Sequence, residues 1–210
     1  MLEDEVLMMG GMVEKSVARA VDALSRRDLE ESEQVVKEDD LIDRKRFDIE
    51  ERCIDLIATQ QPMATDLRIL IAMLHITVEL ERMGDYAEGI ARISLLMGQE
   101  ATLKPLIDIP RMAEKAQGML HKALDAMVNR DTVSAQQVCS EDDDVDALYD
   151  QIYRELLLFM IEDPKTIRRA TYLLWVSHDL ERIADRATNI AERVMYLVTG
   201  KMEESGASKY

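Results

Sequence analysis

The sequence is poor in the residues that interrupt or cross-link a chain. Its 210 residues include eight glycines, four prolines, two cysteines and only 4% aromatic residues. Leu, Ala, Met, Glu and Arg are abundant instead, and this composition is typical of an all-α protein. Cys53 and Cys139 lack CxxC spacing, so we expect both to be reduced core residues of an intracellular protein.

Positive charge and long apolar runs are also scarce. With 26 basic and 42 acidic residues, the formal charge is −16. That charge disfavours nucleic-acid backbones and anionic lipid heads, and it favours a cation or a basic protein surface. No apolar run approaches the ~18 residues that span a bilayer, and no segment resembles a signal peptide. We therefore expect a cytoplasmic protein with no direct membrane insertion.

The most informative feature that is present is an internal repeat. The segment 20–43 returns at 123–146 with 11 of 24 positions identical, at an offset of 103 residues. LERMGDYAEGIA (80–91) returns as LERIADRATNIA (180–191) with 7 of 12 identical, at an offset of 100. Solenoid repeats are shorter, at roughly 20–50 residues. The repeat indicates a duplicated domain, and carboxylates are the largest group of residues kept in both copies, at eight of the 18 identical positions.

Prolines and capping residues divide the chain into helices. Breaks are expected at Pro62 and before Pro164, where Asp163 can cap the next helix. The segment 98–110 contains two prolines and is the one convincing linker. The predicted helices cover about 3–26, 28–59, 62–96, 111–128, 131–162 and 164–199.

Short connections between long helices make neighbouring helices antiparallel, so each half should form a three-helix bundle. The predicted architecture is therefore all-α, with two tandem three-helix bundles of six helices in total. The predicted ranges are 1–98 for the first bundle, 99–110 for the linker, 111–199 for the second bundle and 200–210 for a frayed tail.

Two acidic pairs in each half have i, i+4 spacing, which places both carboxylates of a pair on one helix face. Pro62 lies 19 residues from the nearer member of each first-half pair, and Pro164 lies 18 and 17 residues from those of the second half. Helix arms of nearly equal length therefore bring the two pairs of each half to the same level. The pairs are Asp39 with Asp43, Glu81 with Asp85, Asp142 with Asp146, and Glu181 with Asp185.

The position of these residues around the helix predicts a surface site. At ~100° per residue, Glu81 and Asp85 lie on the flank of the apolar stripe that contains Leu80, so we expect a shallow acidic patch. Converging carboxylates repel one another unless a cation or arginines neutralise them. Oxygen-only ligation suits hard ions such as Mg²⁺, Ca²⁺, Mn²⁺ or iron. The alternative is that these helix faces are solvated and balanced by nearby arginines.

Other kinds of site are not indicated. His75, His121 and His178 do not recur between the repeats, and no Glu-x-x-His motif is present, so we expect packed or surface histidines. Gly10 and Gly11 are not followed by the lysine or hydroxyl residue of a phosphate-binding loop. The sequence contains no recognisable pattern of a catalytic nucleophile with an adjacent general base. We therefore predict that the protein is not an enzyme.

The motifs resemble those of the PhoU family of phosphate-transport accessory and regulatory proteins. The resemblance extends over essentially the whole chain, and its most specific element is the Leu-Glu-Arg-x-x-Asp motif, which occurs twice about 100 residues apart. The matching segments are MGGMVE (9–14), QQPMATDLR (60–68), LERMGDYAEGIA (80–91), MIEDPKTI (160–167) and LERIADRATNIA (180–191).

The resemblance implies two three-helix bundles related by a pseudo-twofold axis, with metal ions on their surfaces. It implies that Glu/Asp-x-x-x-Asp motifs hold the metal, and these map onto the four acidic pairs given above. The metal, which could be iron, manganese, magnesium or zinc, is left open. Two departures bear on the equivalence of the halves: Ala184 stands opposite Gly84, and Gly89 stands where Asn189 occurs in the second repeat.

The resemblance also implies a function. The protein would be an adaptor between a phosphate ABC importer, through its ATPase subunit, and a sensor histidine kinase. It would keep the phosphate-starvation response off and restrain uptake, as a homodimer recruited peripherally to membrane complexes. One alternative is a carboxylate-rich metal-storage or metal-redox bundle. Another is a structural helical module whose acidic faces are solvated.

Overall fold

The computed structural model describes residues 2–201 and confirms an all-α architecture of six helices. A short 3₁₀ turn at Pro164–Thr166 precedes the last helix. The helices are α1 (Leu2–Arg26), α2 (Leu29–Gln60), α3 (Thr65–Met97), α4 (Asp108–Asn129), α5 (Thr132–Glu162) and α6 (Ile167–Thr199). The predicted frayed tail at 200–210 lies, from residue 202 onward, outside the described residues.

Aspartate side chains cap three helical segments, among them Asp163 at the predicted position, where it accepts a hydrogen bond from the backbone N–H of Lys165 at 3.0 Å. The Asp28 carboxylate accepts a hydrogen bond from the backbone N–H of Glu31, 3.0 Å away, at the start of α2. Asp131 accepts from the N–H groups of Val133 and Ser134 at the start of α5. Each cap satisfies backbone donors that have no partner within the helix.

The start of α4 was predicted wrongly. The helix begins at Asp108, three residues before the predicted start, so that Pro110 lies inside its first turn. A proline is tolerated there because the N–H it lacks would have had no intrahelical acceptor. The linker is correspondingly shorter than predicted, and its Leu103 and Leu106 pack against the core.

The six helices form two layers. α2, α3, α6 and α5 lie side by side in that order, with α3 and α6 in contact at the centre. α1 packs on α2 and α3, α4 packs on α5 and α6, and α1 also contacts α4. Each half therefore contains three mutually packed helices, and the halves meet along two helix pairs.

Both contacts between the halves are antiparallel. On α3 and α6, Glu79 pairs with Arg186, whereas Gly89 lies beside Asp179 ten residues further along α3. On α1 and α4, Glu3 pairs with Arg130 while residues later in α1 contact earlier residues of α4. Antiparallel pairing of equivalent helices is the arrangement that a twofold axis perpendicular to the helices produces.

One continuous apolar core joins the halves. It contains residues of all six helices, and many of the largest fully buried side chains in it are methionines. Leu80 and its repeat equivalent Leu180 are both fully buried, and burial of such a side chain stabilises the fold by about 1.5–3 kcal/mol. Because the core is continuous, the division into bundles at 1–98 and 111–199 stays a prediction.

Within the described range 2–201, none of the helices combines the length and the apolar character needed to cross a membrane.

Gly10 lets α1 pack directly against Leu124 of α4. A Cβ built on Gly10 would overlap the Cδ1 atom of buried Leu124, whereas a Cβ on the neighbouring Gly11 would meet no atom within 4 Å. We expect Gly11→Ala to raise the melting temperature by about 1–4 °C, because alanine is the better helix former by about 0.5–1 kcal/mol.

Gly10→Ala gains the same helix propensity but must displace Leu124, so we expect its melting temperature to fall below that of Gly11→Ala. Thermal unfolding followed by circular dichroism measures both variants. Equal melting temperatures would show that the Leu124 side chain moves aside without cost.

Candidate functional site

The first acidic cluster forms where α2 approaches α3 at a glycine. A Cβ on Gly84 would lie 3.1 Å from Oδ1 of Asp39 and 3.1 Å from Cδ1 of Ile42. Both distances are tighter than ordinary contacts, so the missing side chain lets α2 pack directly on α3. This packing brings the α2 aspartates against the acidic flank of α3.

Three of the four predicted carboxylates of the first half come together. Asp39, Asp43 and Asp85 each offer an oxygen, and these oxygens lie within 4.8 Å of one another. Asp39 is the most buried of the three and Asp85 the most exposed. Glu81 is engaged elsewhere, because its Oε1 accepts a hydrogen bond from Nη1 of Arg46 at 2.6 Å.

The first cluster is electrostatically unfavourable as it stands. Burial raises the pKa of Asp39 to about 7, and repulsion from Glu88, Asp43 and Asp85 adds to the shift. Burial likewise raises the pKa of Asp85, with repulsion from Glu81 as the next cause. A cation bound among these groups would remove the repulsion that shifts them.

The second cluster lies between α5 and α6 and is deeper. Asp142 is only 4% exposed, and its Oδ1 accepts no hydrogen bond from the described residues. Burial raises its pKa to about 7, with further contributions from Asp185, Asp146 and Glu181. The predicted shallow surface patch is therefore wrong for Asp142, because α6 packs over it.

An arginine occupies the second cluster. Arg182 donates to Oε1 and Oε2 of Glu181 at 2.6 and 2.7 Å, and its Nη1 lies 3.0 Å from Oδ2 of Asp185. The structure thus brings two of the four predicted second-half carboxylates, Glu181 and Asp185, together around this side chain. The negative charges of Glu181 and Asp185 help to raise the pKa of both Asp142 and Asp146. The ion pairs of Arg182 are with Glu181 and Asp185 of its own helix.

The donor set suits a hard metal ion. The clusters offer carboxylate oxygens alone, and a buried carboxylate oxygen without a hydrogen-bond partner is one that a cation would satisfy. Histidine does not contribute: His121 contacts Glu14 on α1, and His178 lies 3.7 Å from Asp179. Sulfur does not contribute to the first cluster, whose three donors are aspartates, and Cys53 and Cys139 are buried free thiols.

Sequence reasoning allowed for arginines that balance the acidic faces but did not name the two that pair with these carboxylates. Arg182 lies next to Glu181 and three residues before Asp185, and that i, i+3 spacing was a readable signal of pairing. The pairing of Arg46 with Glu81 could not be read from sequence spacing, because it joins α2 to α3 and depends on how these helices pack.

Comparisons with known proteins agree with this geometry. The PhoU domain model matches the chain twice, at residues 6–94 and 109–194. The phosphate-specific transport system accessory protein PhoU homologue of Clostridium acetobutylicum is 41% identical, over 95% of this chain and 92% of its own. That of Aquifex aeolicus is also 41% identical, over 95% of this chain and 90% of its own.

Two crystal structures show the same fold. PhoU from Pseudomonas aeruginosa superposes with a TM-score of 0.91 at 38% identity, covering 95% of this chain and 96% of that one. The phosphate transport system regulatory protein PhoU from Streptococcus pneumoniae gives 0.90 at 30% identity, covering 97% and 96%.

The fold and its matches define a duplicated helical protein of the regulatory and accessory class. The chain belongs to the PhoU family, as a homologue of phosphate-specific transport system accessory proteins. This family is not enzymatic, which confirms the prediction made from the absence of a catalytic arrangement. The family match also confirms the two repeats.

The raised pKa of Asp142 predicts a pH-dependent stability of the metal-free protein. Its pKa is about 7 in the folded chain against an ordinary value of 3.8. Between these values the unfolded chain binds fewer protons, so the free energy of unfolding falls as the pH rises, and the loss is complete above about pH 7.

We expect Asp142→Asn to raise the melting temperature at pH 8, in the presence of a chelator, by at least the 2–4 °C that ~1 kcal/mol gives in a chain of this size. The gain should shrink towards pH 5. The exposed neighbour Asp143→Asn is the matched control. A gain that is the same at pH 5 and pH 8 would contradict the argument.

Proposed function

We propose that this protein is a metal-binding adaptor that keeps the phosphate-starvation response off and restrains phosphate uptake. The observation that carries the proposal is the group of three aspartates in the first repeat, with Asp142, which is buried and has no hydrogen-bond partner for Oδ1 among the described residues, at the position equivalent to Asp39 in the second. The chain that holds them matches PhoU accessory proteins over 95% of its length. The adaptor would join the ATPase subunit of a phosphate ABC importer to a sensor histidine kinase.

The metal would act on the helical hairpins. In the first half it would be held by Asp39, Asp43 and Asp85, which belong to α2 and α3. A bound ion supplies positive charge that neutralises carboxylates drawn together by helix packing. It would thereby fix α2 against α3, and α5 against α6, and stabilise the surface that a partner meets.

The surface beside the first cluster is suited to protein contacts. Phe47 and Ile54 are exposed by 60% and 61% and, seven residues apart, share one face of α2. Exposed aromatic and aliphatic side chains often anchor interfaces, and the charge of −16 favours a basic partner surface. We propose a cytoplasmic homodimer that reaches membrane complexes through these partners.

Phosphate sensing by the chain itself is not part of the proposal. A cleft of about 260 Å³ between α4 and α5 contains Lys122, but Asp125 and Asp131 also line it. These two carboxylates in the lining of the cleft would repel an anion such as phosphate.

The two alternatives are less well supported. A metal-storage protein is favoured by the doubled clusters, but it would need reversible loading with many ions. A structural module with solvated acidic faces conflicts with Asp142, which is buried and lacks a hydrogen-bond partner among the described residues.

We expect deletion of the gene to raise alkaline phosphatase activity in phosphate-rich medium, because the restraint on the starvation response is lost. Reintroduction of the wild-type gene should restore repression. An unchanged reporter after deletion, with no second copy of the gene in the strain, would contradict the regulatory role and leave metal handling as the leading account.

We expect Asp85→Ala with Asp185→Ala to fold but to lose metal-dependent stabilisation. An ion present at a hundredfold excess over its Kd stabilises the wild type by about 2.7 kcal/mol, which corresponds to roughly 5–10 °C in melting temperature. Scanning calorimetry with and without Mn²⁺ measures the difference.

The matched control is Asp40→Ala with Asp143→Ala. These two exposed residues are equivalent in the repeats, and neither belongs to the set of predicted ligands. The control should keep the metal-dependent shift and the reporter repression. Equal behaviour of the two double variants would show that charge, rather than the clusters, is responsible.

A further inference from the structure

Equivalent arginines behave differently in the two repeats. Arg82 and Arg182 occupy the same position of the Leu-Glu-Arg-x-x-Asp motif. The Arg82 side chain is 51% exposed and reaches Glu79 at 3.5 Å, away from the first cluster. The Arg182 side chain is 22% exposed and lies between Glu181 and Asp185. The same sequence motif therefore leaves one cluster open and fills the other.

The first cluster has its arginine in another place. Arg46, on α2, donates to Glu50 at 2.9 Å and to Glu81 at 2.6 Å. It thereby holds Glu81 without entering the space among the three aspartates. The position equivalent to Arg46 in the second repeat is Tyr149, so α5 has no arginine there. In the second repeat it is Arg182, on α6, that pairs with the motif glutamate, Glu181.

The second cluster is nevertheless built to receive a charge. The Oδ1 atom of Asp142 is buried and has no hydrogen-bond partner among the described residues, although Arg182 binds both carboxylates of α6. Arg182 therefore neutralises the carboxylates of α6, whereas Oδ1 of Asp142 on α5 is left without a hydrogen-bond donor among the described residues. A metal ion that binds Glu181 together with Asp142 must take over an oxygen that Arg182 now binds, because Arg182 holds both oxygens of Glu181 at 2.6 and 2.7 Å.

We propose that Arg182 is an internal counter-ion that competes with metal at the second cluster, so that the first cluster loads at lower metal concentration than the second. The inference rests on the proposed metal binding and adds an order to it. The two repeats then respond over different concentration ranges, with the first cluster filled while Arg182 still closes the second.

The test is a titration of the full chain with Mn²⁺, followed by isothermal calorimetry and by the electron paramagnetic resonance signal of free Mn²⁺. We expect two classes of site in the wild type. Asp142→Asn should remove the weaker class, and Asp39→Asn should remove the tighter class. These two variants assign the classes to the repeats without reference to signalling.

Arg182→Gln should tighten the weaker class by about tenfold or more, since it removes charge-assisted hydrogen bonds that the metal would otherwise have to break. Arg182→Lys should give an intermediate affinity, because lysine keeps the charge but cannot bind both carboxylates through a planar fork. Arg82→Gln is the matched control and should leave both classes unchanged.

Weaker binding in Arg182→Gln would overturn the proposal, because Arg182 would then position the carboxylates for the metal. A single class of site that Arg182→Gln leaves unchanged would overturn the order of loading while metal binding stands. Absence of Mn²⁺ binding to the folded wild type, checked by circular dichroism, would overturn the metal-binding function and this inference with it.

Discussion

Burial of the apolar faces of α3 and α6 governs where the charged residues of this molecule lie. The two central helices bury small residues such as Ala87 and Ala187 completely, which allows their neighbours to pack closely. α2 and α5 must approach them to bury their own apolar residues, including Ile42 and Val145. Acidic residues on the flanks of those apolar stripes are carried into the same interfaces, whatever the cost of their repulsion.

The cost is visible in the raised pKa values of Asp39 and Asp142, for which burial is the largest cause. A protein that needed only stability would replace such residues with neutral ones, because unpaired buried carboxylates weaken a fold. Their presence at equivalent positions of both repeats agrees with the proposed metal binding. A cation that binds there converts a destabilising feature into a link between neighbouring helices.

The halves meet this electrostatic constraint in different ways. In the first, an arginine of the neighbouring helix holds one glutamate aside and leaves three aspartates together. In the second, an arginine of the same helix binds two carboxylates itself. Glu79 accepts hydrogen bonds from Arg186 and Asn189 across the contact between α3 and α6. Its repeat equivalent, Asp179, lies beside Gly89, which has no side chain that could donate in the way Asn189 does. A duplicated fold thus carries two unequal sites on one shared core.

The sequence by itself determined the order and approximate extent of the six helices, the cap at Asp163, the duplication and the level at which the acidic pairs of the first half meet. These follow from periodicity and arm length, which are local properties of the chain. Only the tertiary structure decided the depth of Asp142, the inclusion of Pro110 in α4 and the arginine partners of each cluster. Those features depend on the distance between packed helices and on where a long side chain reaches between them, and angular position around a single helix carries no information about either.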